Sequence, residues 1–176
     1  MKKSYALWSF CGFAFTGLIG TLLHFLYDWT GGSIFSAPFS GVNESTWEHM
    51  KLLYFPLLIF ALLQSIFFRD VRSFPCIKLW GIFWGLLAIP ILFYTINGAF
   101  GKTPDWMNIT IFFVSAAIAF LLETYLFKKD SVRCAYRKKA WVVIIFIGLL
   151  FVIFTFYPPK IPLFKDPVDG FYGRPH

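Results

Sequence analysis

The amino-acid sequence predicts an all-α protein: a bundle of five membrane-spanning helices followed by a Pro-rich extended C-terminal tail. Three observations carry that prediction. The chain is 58% hydrophobic and only 14% charged, against about 25% charged residues in soluble domains. Its apolar residues fall into five runs near the length of a spanning helix, which needs about 20 of them. The basic residues collect in the gaps between runs, where they set orientation. A soluble domain of 176 residues has too little interior for so much apolar surface. A single integral membrane domain over residues 1–176 is therefore expected, with the lipid bilayer as its first partner.

Helix one is expected at about residues 5–27. It follows Met1-Lys2-Lys3, as a signal peptide would, but it exceeds the roughly 7–15 residues of a signal core and no small-residue cleavage pattern follows. Gly12, Gly17 and Gly20 would let a neighbouring helix approach closely. His24 and Asp28 close this helix four residues apart, and so share a face. A loop rich in Gly, Ser and Pro, without Lys or Arg, leads to helix two at about 46–68. Ser45-Thr46-Trp47-Glu48 fits a capping box at its start, with Asn43 as a rival cap. Pro56 lies inside it and predicts a kink or a local break.

Helix three is expected at about 77–94. Gly81 and Gly85 suit close helix contact, within the bundle or between two copies of the chain in a homo-oligomer. Pro90 should bend its far end. Helix four, about 106–127, has a small-residue face at Ser115-Ala116-Ala117 and Ala119. Glu123 is its one interior carboxylate and is expected to snorkel towards Lys128 and Lys129. Helix five is expected at about 140–157, and the tail covers 158–176. Pro158, Pro159, Pro162, Pro167 and Pro175 bar a regular helix there.

The net charge of +7 would suggest nucleic acid in a soluble protein. Here its placement explains it, and no basic patch interleaved with aromatics is present, so no nucleic-acid partner is expected. Eleven Lys and Arg residues lie in the N-terminus and in loops 69–78 and 128–139; four, Lys102, Lys160, Lys165 and Arg174, lie at the other end. That bias places the N-terminus in the cytoplasm and the C-terminus outside. Cys11, Cys76 and Cys134 are odd in number and form no CxxC pair, so reduced packing thiols are expected. There is no internal repeat, and five spans disfavour a transporter built from paired halves.

This topology gathers His24, Asp28, Glu44, Glu48, His49 and Lys51 at one outer end, joined by Asn97, Lys102, Asp105, Asn108, Asp166, Asp169 and His176. Three readings compete. Two histidines with carboxylates suit a divalent metal such as zinc: His24, Asp28 and His49 would be ligands, and Glu44 or Glu48 the general base of a metal-dependent membrane hydrolase. Against this, Glu48 and His49 are adjacent and point about 100° apart on a helix. Alternatively the site holds an ion or a small polar or lipid ligand for binding or transport, the N–H groups opening helix two and Lys51 offering an anion site. The structural reading has Glu48 completing the capping box and pairing with Lys51. It leaves Glu44 and His49 without a task.

The stretches His24-Phe25-Leu26-Tyr27-Asp28-Trp29, Val42 through Lys51 around Trp47, and Tyr157-Pro158-Pro159-Lys160-Ile161-Pro162-Leu163-Phe164 with Asp166-Pro167 and Gly170-Phe171-Tyr172-Gly173 carry a resemblance. Together they resemble a bacterial membrane-protein family known only as a domain of unknown function, number 6512. The likeness spans nearly the whole chain. It implies an uncharacterised multi-pass protein of a bacterial cell membrane and supplies no reaction, cofactor or site residue.

Overall fold

The computed structural model describes residues 4–101, 104–130 and 132–174. Lys2, Lys3, Lys102, His176 and the side chain of Asp105 lie outside the described residues. Five helices follow in order: α1 (Tyr5–Trp29), α2 (Thr46–Phe67), α3 (Phe74–Phe100), α4 (Asp105–Lys129) and α5 (Arg137–Phe156). All five are long and apolar enough to cross a membrane. The connections after α2, α3 and α4 are short, whereas the longer loop between Trp29 and Thr46 folds back so that the end of α1 meets the start of α2. A 3-10 turn at Pro162–Phe164 and an isolated antiparallel bridge between Lys165 and Tyr172 order the segment after α5. Among the described residues there is no strand.

α2 is the central element. Of its apolar window 56% is buried, against 22–44% for the others. It packs on α1, α3 and α5, while α3 packs most extensively on α4. Leu53 and Tyr54 of α2, Ile82 of α3, Ala116 and Ala119 of α4 and Ile144 of α5 are fully enclosed.

The helix ends differ from expectation chiefly at α3. It begins at Phe74 because Pro75 occupies the first turn, where its missing N–H leaves nothing unpaired. It runs on to Phe100, through Pro90. α2 likewise continues through Pro56. A proline still removes one donor: Pro56 cannot serve the carbonyl of Leu52 four residues earlier. Gly20 of α1 sits against that oxygen. A Cβ there would lie 3.1 Å from it and 2.5 Å from the Phe112 ring, so only glycine lets α1, α2 and α4 close together here.

Gly81 and Gly85 are spent inside the bundle. A Cβ on Gly81 would meet Glu123 Oε1 at 2.5 Å, and one on Gly85 would meet Ala119 Cβ at 3.0 Å. Glu123 does not snorkel to Lys128 and Lys129. It is buried, and Lys78 Nζ donates to its Oε2 at 2.5 Å. Lys78, counted above among the orienting loop residues, starts α3 inside the core, with its ammonium also over the rings of Phe60, Phe74 and Phe120. A carboxylate this deep needs a counter-charge more than it needs water, because an unpaired buried ion costs several kcal/mol. The cysteines correct the sequence reading too: Cys76 and Cys134 form a disulfide that ties the start of α3 to the loop before α5, and Cys11 is free.

Candidate functional site

The stretch opening α2 builds the site. Ser45 is the N-cap, in extended conformation, and its Oγ accepts from Glu48 N at 3.4 Å. The reciprocal half of the capping box is not made. Asn43 Oδ1 takes Ser45 N at 2.9 Å, and the Glu48 carboxylate turns to Val42 N at 3.1 Å. Glu48 Oε2 also receives Lys51 Nζ at 2.5 Å, with both side chains buried. Lys51 completes its shell with the Ala37 carbonyl at 2.8 Å and Thr155 Oγ1 at 2.9 Å. This one ammonium therefore clamps the connecting loop and α5 onto α2.

The segment after α5 locks the same loop. Asp166 is buried; its Oδ2 accepts from Glu44 N at 3.0 Å, and its Oδ1 from Val168 N and Asp169 N. Asn43 Nδ2 donates to the Gly173 carbonyl, and the Arg174 guanidinium donates to Tyr27 Oη and the Gly32 carbonyl. The Trp47 ring packs between Phe151 and Phe164 at centroid distances of 4.5 and 4.6 Å. The backbone carrying Glu44 is thus fixed from several sides.

His24 of α1 and His49 of α2 face each other across the groove between their helices, ring centroids 5.9 Å apart. Glu44 reaches between them. Its Oε1 is 3.8 Å from His24 Nε2 and its Oε2 is 3.5 Å from His49 Nε2, both beyond the roughly 2.7–3.2 Å of a hydrogen bond. His49 Nδ1 lies 3.0 Å from the Ser45 carbonyl. A carbonyl only accepts, so Nδ1 carries a proton, and in the neutral ring Nε2 is left as an acceptor. The three side chains line a cavity of about 490 Å³ walled by Phe25, Phe93, Phe112 and Phe113, with Asn97 and Asn108 also on its lining.

The structure thus brings His24, Glu44 and His49 together and leaves two predicted members out. Asp28 is exposed one turn beyond His24 and is absent from the cavity lining. Glu48 lies about 100° round α2 from His49 and is absent from the cavity lining, and its charge is engaged by Lys51. The ligand set His24, Asp28 and His49 is therefore not assembled, and Glu48 is no free base. Among the described residues no three His, Cys, Asp or Glu side chains form a metal-binding group. Sequence reasoning missed the phenylalanine walls, because in a chain with Phe 24 no single ring stands out.

The match of a family model decides the relationship. The chain belongs to the family of unknown function DUF6512. The match covers residues 1–174, so the site described above lies wholly within it. No curated protein and no solved structure matches the chain.

Proposed function

We propose that the protein crosses a bacterial cell membrane five times, with its N-terminus in the cytoplasm. Its outward end binds a small molecule whose polar group lodges between His24, Glu44 and His49. The basic bias of the loops supports the orientation against two features of the same end: Lys78 drops out of the count as a core residue, and the Cys76–Cys134 disulfide would face the cytoplasm, where such bridges are rare. The observation that carries the binding reading is the Glu44 carboxylate, held in place through its backbone yet short of hydrogen-bond contact with either imidazole it faces. A group that fits between them would make the bonds the protein leaves open. The cavity is of the size and apolar character usual for small-molecule sites, with a few convergent polar groups.

Metal-assisted hydrolysis would need a third protein ligand besides the two imidazoles and a base distinct from it. With Asp28 and Glu48 placed elsewhere, Glu44 cannot serve as both, so binding is the reading adopted. Native mass spectrometry of the detergent-purified protein tests it. A retained small-molecule adduct is expected on the wild type and should be lost from His24→Ala and Glu44→Gln. Zinc found by elemental analysis, and lost in His24→Ala and His49→Ala, would instead restore the hydrolase reading.

A further inference from the structure

Resting on that binding site, we infer the class of ligand: an amphiphile with a hydrogen-bond-donating ammonium head, reached from the side of the bundle. The first support is charge. Glu44 lines the cavity, and Asp166 stands behind it on the Glu44 backbone. Among the described residues no Lys or Arg lines the cavity. Lys51, the basic residue nearest in sequence, faces away and is neutralised by Glu48.

The second support is a surplus of acceptors. Glu44 offers two carboxylate oxygens. His49 offers Nε2, since Nδ1 is committed to Ser45. Asn108 Oδ1 is buried without a partner on the cavity lining. A buried acceptor without a donor is costly, about 1–3 kcal/mol, which applies to Asn108 Oδ1; the Glu44 side chain is 46% exposed and is served by water until a ligand displaces it. A head with several N–H donors and a positive charge meets Glu44 and the other acceptors at once, whereas a phosphate or carboxylate would set like charge against Glu44.

The third support is the rest of the wall. The aromatic rings of Phe93, Phe112 and Phe113 attract a cation through their faces and an alkyl chain through burial. Thr21, Phe25 and Ile109 on the rim are exposed on the outside of α1 and α4, the surfaces that would meet lipid. An alkyl tail can lie there while its head enters.

The test uses the full-length protein in a maltoside detergent, with dodecylamine and the isosteric neutral dodecanol as probes and binding read by isothermal titration calorimetry. Ile109→Trp blocks the rim without touching the core. Dodecylamine should bind more tightly than dodecanol. Glu44→Gln should weaken dodecylamine by about ten- to hundredfold, the worth of one charge-assisted hydrogen bond, and leave dodecanol unchanged. Competition by short-chain phosphatidylethanolamine would place the ammonium on a lipid head, and its failure would point to a free amine; either outcome upholds the class. Equal binding of both probes, lost in Ile109→Trp, overturns the ammonium assignment while the binding site stands. Binding of both probes indifferent to Ile109→Trp overturns the site as well.

Discussion

Replacing Lys51 by Met should cost the fold about 3–5 kcal/mol, the usual loss when one partner of a buried ion pair is removed. At 2.5 Å and an effective dielectric constant of about 20, the attraction of two unit charges is about 7 kcal/mol. Desolvating each ion consumes several kcal/mol of it, so the pair is near break-even as a unit and strongly unfavourable when halved. Lys51→Met also strips donors from the Ala37 carbonyl and from Thr155 Oγ1. Glu48→Gln keeps an acceptor for Val42 N but leaves the ammonium uncompensated, and should cost a similar amount. In the double variant neither charge remains, and its loss should fall short of the sum of the singles by about 2–3 kcal/mol, the upper range for contacting residues. Reversible unfolding in mixed micelles, followed by tryptophan fluorescence, measures all four species of the cycle. Additive losses would refute the clamp and return Glu48 to the list of free carboxylates.

Three further outcomes follow from the packing. Gly81→Ala forces a methyl onto Glu123 Oε1 and should destabilise by about 1–3 kcal/mol, while Gly98→Ala, with open space around it, should be neutral or stabilising by up to about 1 kcal/mol; the same unfolding assay compares them. Maleimide labelling in denaturant, read by intact mass, should add one label to the oxidised protein, at Cys11, and three after reduction of Cys76–Cys134. Asp166→Ala removes the acceptor shared by Glu44, Val168 and Asp169 and should speed limited proteolysis between α5 and the C-terminus several-fold, with cleavage sites mapped by mass spectrometry.

Hydropathy made the five helices legible because long apolar runs admit few other structures. It could not place their ends at Phe74 and Phe100, since Pro75 and Pro90 are tolerated by position and packing that only the fold supplies. The Glu48–Lys51 pair was readable because both partners sit on one helix three residues apart. The Glu123–Lys78 pair and the Cys76–Cys134 bridge were not, because their partners are 45 and 58 residues distant and their approach depends on how α3 meets α4 and the loop before α5. At the site, helical geometry required Glu48 and His49 to part company but was silent on which one faced α1. Asp28 misled for a related reason: sharing a face with His24 does not help once α1 has outrun the start of α2.

The carboxylates at this end of the bundle divide by what satisfies them. Glu48 has Lys51 and the Val42 N–H. Asp166 has three backbone N–H groups. Glu44 has two imidazole nitrogens at 3.5 and 3.8 Å, too far for either to donate to it. Yet one of the three N–H groups held by Asp166 is that of Glu44 itself, so a buried residue from beyond α5 fixes its backbone. The Glu44 side chain is 46% exposed, so water serves it while the site is empty. Starting α2 requires Ser45 and Asn43, both of which are used, and it does not require Glu44. The fold therefore orders a carboxylate over a cavity that also holds the unpartnered Asn108 oxygen, and pre-ordering an acceptor in this way raises affinity for a donor by lowering the entropy cost of binding it.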